Sequence, residues 1–198
     1  SVGYMAVAVG VSRALFLLSQ AISTVLYPEV SKKQMDEAEK VNSILCRNAF
    51  MLIIFVTVLA VVFARYIVLI YAGRAFLPAV VPMRIMLVGA GIATVGPLMS
   101  PLWVRKGLFW QLSLLASSLL VLNLILNIYL IPKYGIFGAA LAKTFVYIIG
   151  VIEIIIVYYF YVNRRFWSFL IPQRSDIDIY KSMWRKYLFR KGKTAVAT

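Results

Sequence analysis

Residues 123–147 read NLILNIYLIPKYGIFGAALAKTFVY. Two strongly apolar runs meet at Pro132, Lys133, Tyr134 and Gly135. Proline removes a backbone donor and glycine permits a sharp turn. The connection is only a few residues long, so the runs are expected to form an antiparallel helical hairpin. Gly138 and Ala142 make a small-xxx-small pair, which lets the second arm approach a neighbour closely.

The rest of the chain has the same character. Of 198 residues, 63% are hydrophobic and 14% are charged. That is the balance of a multi-span membrane protein, because so few polar groups cannot cover a soluble fold of this size. A bilayer crossing takes about 20 mostly apolar residues. Five stretches qualify: roughly 3–29, 48–72, 78–104, 108–131 and 136–162. Each is too long for a strand and lacks period-2 alternation. Helices satisfy their own backbone in lipid, so the expected class is an all-α integral membrane protein. Residues 1–163 form its transmembrane bundle and 164–198 a cytoplasmic tail.

The 21 basic and 7 acidic residues give a net charge of +14. They lie mostly between the apolar runs and after the last, a topology signal rather than a nucleic-acid footprint. One side receives Lys32, Lys33, Lys40 and Arg47, then Arg105 and Lys106, then the nine basic residues from Arg164 onward. The other receives Arg74 and Lys133, with Arg84 nearby. The positive-inside rule puts the first side, and the C-terminus, in the cytoplasm. Cys46 is the single cysteine and there is no histidine, so neither a disulfide nor a zinc site is expected. No cofactor, metal or nucleic-acid partner is expected. Apolar sequence begins at Val2 with no Met and no basic region before it, which predicts that residue 1 lies inside a longer protein.

Residues 31–48 place Met35, Ala38, Val41, Ile44 and Leu45 near helical spacing, with Asp36 and Lys40 at i,i+4. They predict a short amphipathic helix on the inner surface, with Pro28 ending the span before it. The third span carries Gly89, Gly91, Gly96, Pro97 and Pro101. Pro97 and Pro101 predict a kink in its inner half, read either as a hinge or as static packing. Gly89, Ala93 and Gly96 put small residues near one face. Gly89-Ala90-Gly91 follows no strand and is not a nucleotide-binding loop.

Polar groups inside the apolar stretches need partners or water. Asn123 and Asn127 share a face at i,i+4, either as glue between helices or as substrate contacts. Arg65 and Arg84 lie near span ends, where long side chains reach the interface. Arg13 is ten residues into the first span, about 15 Å of helix. Lys143 is about 10 Å inside the fifth, and Glu153 ten residues beyond it, about 80° away around the helix. An Arg13–Glu153 ion pair is one reading. The other is a water-filled cavity in which Arg13 and Lys143 attract an anionic headgroup such as a diphosphate.

In the tail, Ser175 and Asp178 resemble a capping box. Tyr180, Met183, Trp184, Tyr187 and Leu188 then follow at helical spacing among Lys181, Arg185, Lys186, Arg190 and Lys191. This predicts a basic amphipathic helix on the anionic inner leaflet, with Lys181, Trp184, Arg185 and Lys186 as membrane-surface residues. Residues 192–198 have no apolar period.

The pattern Asn123-x-x-Leu126-Asn127-x-x-Leu130-Ile131-Pro132-x-Tyr134-Gly135-x-x-Gly138-Ala139-Ala140-x-Ala142 resembles the signature of the polysaccharide (oligosaccharide-lipid) flippases. These belong to the multidrug/oligosaccharidyl-lipid/polysaccharide exporter superfamily. Gly3, Tyr4 and Ala6 are similar, in an imperfect register, to the family's GxYxxA entry into a span. Pro28-x-x-Ser31 resembles its P-x-x-S helix end. Tyr71 to Phe76 resembles its YGxxF outer loop. The likeness runs over residues 3–162 with the elements in the same order. It implies that this is the C-terminal bundle of a transporter of about twelve spans in two bundles. The missing N-terminal transmembrane half and membrane lipid would be its partners, with polysaccharide-assembly proteins as further candidates. The implied activity is translocation of an undecaprenyl-diphosphate-linked oligosaccharide across a bacterial or archaeal cell membrane by alternating access. Lys143 departs from the pattern, which commonly has Thr there, and the basic tail lies outside it.

On that reading Arg13, Lys143, Asn123 and Asn127 are the candidate substrate-binding residues. Glu153 is the candidate proton-coupled group, and Pro97 and Pro101 are the candidate hinge. No nucleotide motif is present, so an ion gradient or removal of product would drive transport. A membrane-embedded polymerase or ligase of the same pathway is the alternative from another class. It would need a large outer loop with acid/base residues, and both outer loops here are short and lack a carboxylate pair. A peptidoglycan-precursor or drug exporter of the same superfamily is a further alternative.

Overall fold

The computed structural model describes residues 2–32 and 34–161. They form helices α1 (Val2–Ser31), α2 (Met35–Val62) and α3 (Ala64–Tyr71), then a 3-10 turn (Arg74–Ala79). Helices α4 (Val80–Ala93), α5 (Val95–Arg105) and α6 (Phe109–Tyr161) follow. No strand occurs among the described residues. Four segments are long and apolar enough to cross a membrane: Gly3–Pro28, Glu37–Val62, Arg74–Arg105 and Phe109–Tyr161. The tail residues Lys181, Trp184, Arg185 and Lys186 lie outside the described residues, as do the side chains of Asp36 and Lys40.

The last segment bends back on itself. Gly135 has φ 56° and ψ −128°, a backbone conformation that only glycine adopts without strain, and it splits the 53 residues of α6 into two arms. Leu119 packs against Gly150 across the arms, and Ser118 meets Glu153. Near the turn, a Cβ on Gly138 would collide with the Leu130 carbonyl. The predicted hairpin is therefore present, although Pro132 lies within helix and the reversal is centred on Gly135.

Three boundaries differ from expectation. The polar stretch 31–48 and the apolar run after it are one helix, α2, rather than a surface helix followed by a span. The expected boundary rested on a change of polarity. Without Pro or Gly, that change does not interrupt the hydrogen-bond ladder. The interruption comes instead at Phe63, where Phe63 N–H still bonds Leu59 O at 2.8 Å and Ile67 N–H bonds Phe63 O at 3.0 Å. Pro28 does not end α1, which continues to Ser31. In the last turn one missing donor costs little.

The third segment breaks at Thr94, between α4 and α5, upstream of both prolines. A proline ring clashes with the carbonyl four residues earlier. For Pro97 that carbonyl belongs to Ala93, so the disturbance appears one turn ahead of the ring. Hydroxyls serve the weakened ladder: Thr94 Oγ1 donates to Gly91 O at 2.6 Å, and Ser100 Oγ to Pro97 O at 2.8 Å.

Contacts fix the relative directions. Tyr4 of α1 packs edge-on against Phe76, with ring centroids 5.6 Å apart. At the other end of α1, the Tyr27 hydroxyl lies 3.3 Å from Ser100 Oγ in α5. Thr144 donates to Ile85 O in α4 at 3.1 Å, and Ile154 lies against Gly96 in α5. Hence α1, α4–α5 and the second arm of α6 run parallel, while α2 and the first arm return. The Tyr4, Phe76 and Gly135 end is called the Gly135 end, and the opposite one the Lys106 end.

Two apolar clusters hold the bundle. Near the Gly135 end, Ala8, Val68, Met83, Met86, Leu87, Ala90 and Ala140 are buried together. Near the Lys106 end, Ile53, Leu98, Met99, Leu102, Trp103, Ile154 and Tyr158 are. Gly89 permits a close approach of α4 to the second arm: a Cβ there would sit 3.0 Å from Thr144 Cγ2 and 3.1 Å from its Cα.

Candidate functional site

The outward faces of the bundle are of two kinds. Between residues 51 and 62 the exposed positions of α2 are Met51, Leu52, Phe55, Val58, Leu59 and Val62, all suited to lipid. The exposed stripe of α1 is different. It carries Gly3, Ala6, Gly10, Arg13, Ala14, Gln20, Ala21 and Thr24, interrupted by Val9, Leu17 and Val25. Small and polar side chains gain nothing from lipid. They suit a water-filled cleft or the close approach of another helix.

Arg13 sits on this stripe, and no described residue partners it. One turn further along α1, Phe16 packs against Tyr147 of α6, with centroids 5.3 Å apart and planes tilted by 45°. The Lys143 ammonium lies over the same Tyr147 ring, 5.4 Å from its centroid, in a cation–π contact. Because α1 and this arm run parallel, Arg13 and Lys143 both precede the aromatic contact by about one turn and share one level of the bundle. The register of the hairpin brings Asn127 opposite Lys143 and Asn123 opposite Tyr147. Asn127 Nδ2 donates to Asn123 Oδ1 at 2.6 Å, which leaves the Asn123 amide nitrogen and the Asn127 amide oxygen for a third group. All four residues singled out as substrate contacts thus belong to one level.

Glu153 does not. It lies ten residues beyond Lys143, about 15 Å toward the Lys106 end. The Ser118 hydroxyl lies 3.0 and 2.9 Å from its two oxygens, and 2.8 Å from Leu115 O. Glu153 is therefore held by Ser118 and not by Arg13. Arg84 Nε donates to Val61 O at 3.1 Å, satisfying a carbonyl at the end of α2. Arg65 is exposed.

A second polar group, near the Lys106 end, escaped the sequence reading. Arg47, taken as a topology signal, is 1% exposed. Asn42 is fully buried, and beside the Cys46 thiol its amide has no well-aligned hydrogen-bond partner. Cys46 Sγ donates to Leu98 O at 2.9 Å, and Glu39 pairs with Lys106 at 2.5 Å. The sequence did carry the signal. Glu39, Asn42 and Cys46 recur at i, i+3 and i+7, a polar stripe on one helical face.

No family model, curated protein or solved structure matches the chain. The assignment therefore rests on the residues themselves. Among the described residues no cluster of three metal-ligating side chains is present.

Proposed function

We propose that this chain is the C-terminal bundle of a flippase for a lipid-diphosphate-linked oligosaccharide. The carrying observation is the alignment of Arg13 and Lys143 at one level, with Arg13 on an α1 face rich in small and polar residues. Two fixed cations bordering water attract a polyanion, and guanidinium in particular pairs with phosphate oxygens through two parallel hydrogen bonds. The Asn123–Asn127 pair adds a free amide donor and acceptor beside them, suited to a sugar hydroxyl. The resemblance of residues 123–142 to the polysaccharide flippases supports the same cargo class.

On this reading α6 crosses the bilayer twice. Its 53 residues would span about 80 Å as one rod, against an apolar thickness of about 30 Å. With the first three segments this makes five crossings. The Lys106 end faces the cytoplasm by the positive-inside rule. The stripe on α1 faces a second bundle across the transport path, in a bacterial or archaeal cell membrane. The break at Thr94, set by Pro97, is the hinge.

The deciding experiment replaces Arg13 and Lys143 singly with Gln in the full-length protein in cells. Membrane levels, surface polysaccharide and lipid-linked intermediates are measured together. A charge-assisted hydrogen bond is worth about 1.5–3 kcal/mol, so each variant should lose about tenfold or more of its export rate while intermediates accumulate inside. Full export in both variants would remove the cationic site and, with it, this assignment.

A further inference from the structure

Helices α4 and α5 are two halves of one interrupted helix. Both bury apolar residues, Met83, Met86, Leu87 and Ala90 on α4 and Leu98, Met99 and Leu102 on α5. Both also make polar contacts, and on α4 these are Thr144 to Ile85 O and Arg84 Nε to Val61 O. Of the two, only α5 carries a buried side-chain polar atom without a partner among the described residues, the Trp103 indole N–H. Against α1, Ser100 meets Ser23 at 3.1 Å and Tyr27 at 3.3 Å. Against α2, the Cys46 thiol donates to Leu98 O at 2.9 Å and Lys106 pairs with Glu39 at 2.5 Å. Because α2 and α5 run antiparallel, the level between those two contacts falls at Asn42 on α2, beside Leu102 and Trp103 on α5. There the Trp103 indole N–H is buried without a partner, and the buried Asn42 amide meets only the Cys46 thiol, in a poorly aligned contact.

We propose that α5 is a latch. It pivots at Thr94, and its Lys106 end alternates between the docked position seen here and a released position in which water enters the α2–α5 seam. The Glu39–Lys106 pair and the apolar contacts favour docking. The Trp103 indole N–H, buried without a partner, and the Asn42 amide, served only by the weak Cys46 thiol contact, favour release, because such buried polar groups gain hydrogen bonds when water reaches them. Water can also replace the hydroxyl contacts at Ser100 at little cost. Opposing tendencies within one seam keep the two positions close in free energy, as a moving part requires. Only the use of the motion rests on the transport reading; the latch rests on the contacts of the seam.

Cys46, the chain's sole cysteine, is 3% exposed in the middle of the seam and reports its opening. The test uses the full-length protein in native membranes, with Cys46 as its only cysteine. Alkylation by N-ethylmaleimide is timed without cargo, and each rate is normalised to that of the same variant unfolded in detergent. Glu39→Gln and Lys106→Gln should each accelerate labelling about tenfold, the effect of losing one charge-assisted contact. Asn42→Leu and Trp103→Phe should each slow it severalfold; slowing in Asn42→Leu alone is the direct loss of its contact with the Cys46 thiol and would overturn the latch. Simple electrostatic tuning of the thiol would move the two charge variants in opposite directions. General loosening would make Asn42→Leu fast as well. The exchanged pair Glu39→Lys with Lys106→Glu should return labelling toward the original rate. Unchanged labelling in both charge variants, accelerated labelling in Asn42→Leu, or an exchanged pair as fast as the single variants would overturn the latch. The Arg13 and Lys143 variants leave this labelling untouched, so failure of the cargo assignment and failure of the latch are distinguishable.

Discussion

At Glu153 a single hydroxyl serves two demands. Ser118 lies within hydrogen-bond distance of both carboxylate oxygens and of the Leu115 carbonyl, but it has one proton to give. A carboxylate can take that proton, whereas an amide at the same position would donate to Ser118 Oγ and leave Ser118 to turn to Leu115. Glu153→Gln therefore exchanges an acceptor for a donor without moving the backbone and removes the candidate proton-coupled carboxyl. Export in that variant is expected to become independent of an imposed pH gradient across inverted membrane vesicles, with protein levels unchanged. Export that keeps its full gradient dependence would exclude Glu153 from coupling.

The α6 hairpin depends on two glycines for different reasons. Gly135 supplies a dihedral pair that other residues reach only with strain of about 1–3 kcal/mol. Gly138 supplies room for the Leu130 carbonyl. Gly138→Val should therefore be the more damaging change, losing folded protein outright, while Gly135→Ala should lower the melting temperature in detergent and leave a foldable chain. Pro97→Ala restores an N–H to the Ala93 carbonyl across the α4–α5 junction. It should raise thermal stability while slowing export, since a stiffer α4–α5 junction resists bending. The hairpin was legible in sequence because Pro132 and Gly135 punctuate two long apolar runs. The break in the third segment was legible only in part. Pro97 announced it, but the clash of a proline falls on the preceding turn, so the interruption appeared at Thr94. The continuity of α2 was missed because a shift from polar to apolar composition marks a change of surroundings and not an end of helix. Arg47 misled for a related reason: a cation beside a span reads as solvated until a fold places its neighbours around it.

The assembled bundle has a lipid-suited face on α2 between residues 51 and 62, and a face richer in small and polar residues on α1. If that face meets a second bundle, enlarging it should spare this half and damage the whole. Ala21 is exposed, so Ala21→Phe creates no clash among the described helices. This variant is expected to express and melt normally as the C-terminal half, yet to co-purify several-fold less with a co-expressed N-terminal half. Normal recovery of the partner half would place the stripe against water instead. Alignment of Arg13, Lys143 and the two asparagines at one level was the part of the candidate site that sequence could not give. It depends on α1 and the second arm running parallel in a common register, a property of packing rather than of either segment.

The turn at Gly135 also bears on how such a chain is made. A connection of four residues, Pro132 to Gly135, offers the insertion machinery almost no loop to thread through the bilayer. If both arms cross the bilayer, as proposed, they leave the translocon as a joined pair, with Lys133 as the one charge at the tip. Entering together, they can form the Ser118–Glu153 bond before either faces lipid, so the acid never crosses the apolar layer alone. Delaying synthesis between the arms would expose Glu153 to insertion without its partner, which makes the second arm the step at which biogenesis is most easily derailed.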